Sequence, residues 1–227
     1  CMQYQIWGNT MPALTVRLDA GESIYTQSGG MSWMTDGIEM NTNMRGGFFG
    51  GLSRVLTGES LFIATYTARM PGQEITFASS LPGEIRGFEL RPGYEIIAQK
   101  GAFLCAQPEV EVSLTSTRAM GGFFGGEGFL LQRFSGRGMV FCELDGSIRT
   151  YDLAPGELLR VNTGNVAAFE ATVQYSVETV RGFKNVLFGG EGLFLTTLRG
   201  PGRVWLQSMT VANLASRIIP FVPTRSD

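Results

Sequence analysis

The six residues Gly46-Gly47-Phe48-Phe49-Gly50-Gly51 are written again as Gly121-Gly122-Phe123-Phe124-Gly125-Gly126, and a shortened version stands at Leu187-Phe188-Gly189-Gly190. Long-range self-similarity of this kind marks a chain built from copies of one unit. Two further markers keep the rhythm. A Gly-Glu followed by an apolar run has its glycine at 58, 126 and 190, steps of 68 and 64. Leu-x-x-Gly has its glycine at 21, 93 and 156, steps of 72 and 63. Both series shorten in the same order, and Leu52 to Thr57, inserted after the first Gly-Gly, accounts for the longer first step. Three divergent copies, over about 12–83, 84–146 and 147–223, are expected within a single domain.

Each copy reads as short strands. Ala13 to Leu18 alternates apolar and polar residues and stops at Ala20-Gly21, the pattern of a half-buried strand and a turn. Ser23–Thr26, Leu61–Tyr66, Glu84–Phe88, Val110–Leu114, Phe129–Leu131, Ser147–Tyr151, Val173–Glu178 and Val204–Leu206 continue in that manner. Thirty-one glycines punctuate them. The expected fold class is all-β, a β-sandwich or double-stranded β-helix-like body of three pseudo-symmetric repeats. One helix is expected: Val211, Leu214, Ala215 and Ile218 share a face from about Thr210 to Ile218, and Pro220 and Pro223 stop it. With 44% hydrophobic residues and 17% charged, 227 residues can bury a core without a disulfide or metal.

The Gly-Gly-Phe-Phe-Gly-Gly stretch, the Leu52 to Phe62 run after it and Arg217-Ile218-Ile219-Pro220-Phe221-Val222-Pro223 resemble the altered inheritance of mitochondria, protein twenty-four family. The resemblance implies a β-sandwich of three repeats, each similar to the subunit of the tryptophan RNA-binding attenuation protein. It also implies a small homo-oligomer, a trimer favoured, and a link to mitochondrial biogenesis and inner-membrane organisation. The attenuation protein's ligand and RNA motifs are not recognisable in this chain, so neither tryptophan nor RNA binding is carried over.

Chemistry is constrained most by the absence of histidine, which excludes Ser-His-Asp and Cys-His catalysis and His-bearing zinc sites. No phosphate-loop motif is present. A net charge of −2 argues against a nucleic-acid partner. No apolar run approaches the ~20 residues of a membrane span, and no signal-peptide pattern opens the chain. Cys105 and Cys142 lie in apolar runs and read as buried small hydrophobes in a reducing, cytoplasmic compartment. No catalytic residue, cofactor or metal site is expected. Glu59, Glu127 and Glu191 recur once per copy. They either cap turns, the favoured reading, or converge on a hard cation. Met31, Met34, Met40 and Met44 read as core filler before a soft-metal or peptide site.

Phe48, Phe49, Phe123, Phe124 and Phe188 are the candidate interface or membrane residues. Flanking glycine offers no side chains to wall the rings in, so a neighbouring unit, a second subunit or a lipid surface is expected to cover them. The function expected is a non-enzymatic homo-oligomeric scaffold or peripheral membrane-associated protein. The alternative is a ring-like small-molecule binder with its ligand held between repeats or subunits.

Overall fold

The computed structural model describes residues 2–27, 30–43, 63–116, 130–179 and 194–223. Among the described residues the fold is all-β, with one short α-helix near the end. β1 (Gln3–Trp7) comes first. It is followed by β2 (Ala13–Leu18), β3 (Ser23–Gln27), β4 (Trp33–Met34), β5 (Ile38–Asn43), β6 (Ile63–Ala68) and β7 (Gln73–Ala78). A second set comprises β8 (Gly83–Leu90), β9 (Ile96–Gln99), β10 (Phe103–Ala106), β11 (Val110–Ser116), β12 (Leu130–Gly136) and β13 (Gly138–Asp145). The third comprises β14 (Ile148–Leu153), β15 (Leu158–Asn162), β16 (Val166–Glu170), β17 (Gln174–Thr179), β18 (Phe194–Arg199) and β19 (Gly202–Gln207). Helix α1 (Val211–Ile218) closes the described chain, with a 3-10 turn at Ile219–Phe221.

Pairing follows one scheme in all three sets. The first strand pairs with the sixth: β2 with β7, β8 with β13, β14 with β19. The second pairs with the fifth: β3 with β6, β9 with β12, β15 with β18. The fourth lies beside the fifth, and the third beside the sixth. Where β10 joins β3 and β16 joins β9, six-stranded sheets result. Their orders are β5-β6-β3-β10-β13-β8 and β11-β12-β9-β16-β19-β14, beside sheets β1-β2-β7-β4 and β15-β18-β17.

The chain forms two compact units, each assembled from separate stretches. The first takes Cys1–Arg91, Phe103–Glu111 and Gly136–Glu143. Its core joins Leu14, Val16, Ile75 and Phe77 of the four-stranded sheet to Ile24, Tyr66, Leu104 and Phe141 of the six-stranded one. Tyr66 meets Phe77 edge-on, ring centroids 6.4 Å apart. Tyr25 Oη donates to Val110 O at 2.5 Å, and Thr26 Oγ1 to Leu104 O at 2.6 Å.

The second unit takes Pro92–Ala102, Val112–Ser135 and Leu144–Asp227. Its core gathers Ile97, Leu131, Phe169 and Val204 with Val161, Tyr175, Val177 and Leu198. Phe169 stacks on Tyr175 at 5.2 Å and 9°. Within the six-stranded sheets, β10 is buried throughout and β16 from Val166 to Phe169. These strands therefore read as continuous apolar runs without alternation.

The Leu-x-x-Gly markers are turns of one geometry. Gly21, Gly93 and Gly156 have φ of 84°, 86° and 78°. Glu22 N bonds Asp19 O and Glu157 N bonds Ala154 O, both at 2.9 Å. Pro92 and Pro155 occupy the position before the glycine, which completes a type II turn, where the third residue needs positive φ. The preceding leucines, Leu18, Leu90 and Leu153, are buried. No atom lies within 4 Å of a Cβ placed on Gly156, so the penalty of a side chain there is conformational alone. Gly156→Ala should lower stability by about 1–2 kcal/mol, read from urea denaturation. Gly156→Asn should lose less, because asparagine tolerates that conformation better; equal losses would refute the turn argument.

Candidate functional site

The residues singled out from the sequence, Phe48, Phe49, Phe123, Phe124, Phe188, Glu59, Glu127 and Glu191, lie outside the described residues. Their flanking strands are described. β5 pairs with β6 through Asn43 opposite Ile63, and β17 with β18 through Thr179 opposite Phe194, while β11 lies beside β12. Each Gly-Phe stretch thus joins a sheet's edge strand to its inner neighbour, at one place in the pairing scheme. Gly-Glu pairs are described at 21–22, 83–84 and 156–157; Glu84 meets Arg86 at 3.0 Å, whereas Glu157 stays within its turn. Glu157 Oε2 accepts the Ala154 N–H at 2.7 Å and caps its own turn.

Of the methionines, Met31 and Met34 pack against the first core, Met40 is exposed, and Met44 lies outside the described residues. Cys105 and Cys142 are fully buried free thiols. Desolvation pushes both above the ordinary thiol range, with a smaller push from Cys142 on Cys105 and from Glu143 on Cys142. They stay protonated, poor nucleophiles. Among the described residues, no group of three or more histidine, cysteine, aspartate or glutamate side chains could hold a metal. Nor is any described helix long and apolar enough to cross a membrane.

Among the described residues two apolar surfaces are exposed, one that the sequence does not announce and one whose apolar face it does. On the first unit's four-stranded sheet, Trp7 and Trp33 lie 6.1 Å apart at 46°, both substantially exposed. They flank a polar row: Trp7 Nε1 donates to Thr15 Oγ1 at 3.0 Å, Thr15 meets Thr76 at 2.8 Å, and Trp33 stands opposite Thr76. Neither segment marks the pair: Trp7 follows Tyr4 and Ile6, and Trp33 lies between Met31 and Met34.

The second surface is α1, which the second unit anchors firmly. Gln207, at the end of β19, is 3% exposed. Its Oε1 accepts from Gln99 Nε2 and from the Asp145 N–H, both at 3.0 Å. Its Nε2 donates to Gln99 Oε1 at 2.6 Å and Gly164 O at 2.9 Å. Asn165 Nδ2 donates to Gln207 O at 2.8 Å. Three residues on, Thr210 caps the helix, its Oγ1 accepting the Asn213 N–H at 3.1 Å.

The helix buries none of its residues. Val211, Ile218, Ile219 and Val222 are more than half exposed, and Phe221 is 86% exposed. The apolar face foreseen from the sequence is real, but only Leu214 and Ala215 of it are half-buried.

In comparison with known proteins, residues 4–209 match the model of a family described as mitochondrial biogenesis AIM24. An uncharacterized protein from Streptococcus pyogenes serotype M6 is 27% identical over 225 residues, spanning 95% of this chain and 89% of that one. A crystal structure of another Streptococcus pyogenes protein is similar with a TM-score of 0.77 and 24% identity. It covers 98% of this chain and 100% of its own. That likeness carries the fold.

Proposed function

We propose a non-enzymatic homo-oligomeric scaffold or peripheral membrane-associated protein as the role of this chain, which belongs to the mitochondrial biogenesis AIM24 family. The observation that supports it is the shared pairing of the strands that flank the Gly-Phe stretches in sequence. Three sets of strands obey one pairing scheme, and each set's stretch joins the same two members of it. We read the sets as copies of one unit within a single domain, as the resemblance to the attenuation protein's subunit implies. Trimeric assembly would bring together several copies of each aromatic stretch, and multivalency converts weak single contacts into firm docking.

The absence of histidine and the protonated, buried thiols support a non-enzymatic role. The free thiols also fit a reducing compartment, the cytoplasm or a membrane facing it, and the negative net charge fits no nucleic-acid partner.

The competing reading is a small-molecule binder with its ligand held between repeats or subunits. Among the described residues it has a recess to draw on, lined by Met2, Gly21, Glu22, Ser23, Gln107 and Pro108 and largely open to solvent.

Replacing Phe48, Phe49, Phe123 and Phe124 together with serine should lower oligomer mass in native mass spectrometry, or liposome co-sedimentation, with the melting transition retained. Loss of the fold would mean that these rings are core and would end this reading. A small ligand retained by protein purified from its source would favour the competitor.

A further inference from the structure

We propose that α1 and the turn after it form a lipid-contact element for anionic bilayers, with Phe221 and Ile219 entering the acyl boundary and Arg217 facing headgroup phosphate. This rests on the peripheral-membrane arm of the reading above and gives it a specific element, one that lies beyond the residues 4–209 matched by the family.

Three observations carry it. The first is exposure. Ile218, Ile219, Phe221 and Val222 form an almost unbroken apolar run, each more than half exposed, and Val211 extends it along the helix. An amphipathic helix that buries none of its residues in its own protein has the geometry of one lying in an interface plane.

The second is charge. From Val204 to Asp227 the sequence carries two arginines, Arg217 and Arg225, against one carboxylate, Asp227, within a chain of net charge −2. Arg217 occupies the last turn of the helix and is itself exposed. A locally cationic apolar surface on a net acidic protein complements an anionic bilayer, where each arginine near the surface adds attraction.

The third is size. The exposed apolar side chains present on the order of 500 Å² together. A standard protein–protein interface needs roughly 800 Å² from each partner, so this strip is too small to hold a second copy alone. It suffices for reversible insertion, in which depth rather than breadth supplies the contact. The buried amide network at Gln207 and the Thr210 cap fix the start of the helix, so the strip is presented without first having to be ordered.

The test is vesicle flotation of the full chain with phosphatidylcholine alone and with about one quarter phosphatidylserine. Wild type should float with the anionic vesicles and much less with the neutral ones. The double variant Ile219→Asn, Phe221→Ser should lose about tenfold or more in partitioning, and Arg217→Gln a few-fold, the latter effect disappearing at high salt. Melting temperature should hold for both variants, because none of these side chains is buried.

Wild-type levels of flotation by the double variant would overturn this proposal and leave the membrane arm resting on the Gly-Phe stretches alone. No flotation of wild type would remove both. A fall in oligomer mass with flotation unchanged would make the strip a self-contact and also overturn the proposal.

Discussion

Gln207→Leu should destabilise the protein by about 3 kcal/mol or more, although leucine nearly matches glutamine in volume. Both polar atoms of this side chain are used twice, by the Asp145 N–H, the Gly164 carbonyl and the facing amide of Gln99. Removing the amide strands a backbone donor, a backbone acceptor and Gln99 Oε1, while Gln99 Nε2 keeps its bond to Asp145 Oδ2 at 3.2 Å. Each unsatisfied buried group costs about 1–3 kcal/mol. Urea denaturation would read the loss, and a double-mutant cycle with Gln99→Leu should give a coupling of about 0.5–3 kcal/mol, because the two amides satisfy each other. A loss below about 1 kcal/mol would mean that water reaches the stranded groups and that the site is not the sealed anchor described for α1.

Phe141→Ala should lower stability by about 3–5 kcal/mol. The ring is fully buried in the first unit's core. Tyr4 packs edge-on against it at 4.9 Å, and a Cβ on Gly87 would come within 2.9 Å of it. Neighbours this close leave little room for collapse, and cavities that cannot collapse are the costly ones. Because Tyr4 belongs to β1, all five of whose residues are exposed, amide exchange in β1 should accelerate in the variant beyond the global loss. Equal acceleration everywhere would show that the Tyr4–Phe141 contact does not hold β1 in place.

Much of the fold was legible because its signals are local. Alternation in Ala13–Leu18 and in Gln174–Val177 states which residues face inward, and the structure buries Leu14, Val16, Tyr175 and Val177 accordingly. The three Leu-x-x-Gly turns are legible for the same reason: a glycine at the third position, twice after proline, specifies the turn by itself. Helix α1 begins one residue after the expected start because Thr210 serves as its cap.

The illegible parts are those that distant residues create together. β16 escapes a search for alternation because both of its faces are covered, and β1 and β7 offer only a few alternating residues each. The candidate site divides in the same way. The repeated Gly-Phe stretches announce themselves by repetition, and the apolar face of α1 by its spacing. The Trp7–Trp33 pair exists only because β2 and β7 lie between its members, and the Gln99–Gln207 amides meet across 108 positions. No window of sequence contains either.

The interleaving of the two units bears on how the chain is made. The six-stranded sheet of the first unit includes β13, which ends at Asp145. A nascent chain that has emerged as far as β7 therefore holds most of that unit's strands but neither β10 nor β13 to complete it. Contacts spanning 78 and 85 positions, such as Thr26 to Leu104 and Tyr25 to Val110, come late, after long loops have closed against their entropy. When β7 has emerged, the residues of the first core from Leu14 to Phe77 are already made, while Ile85, Leu104, Cys105 and Phe141 are still to come. No single cut yields two fragments that each carry a whole unit: the first is complete only at Glu143, after Pro92–Ala102 and Val112–Ser135 of the second have been made.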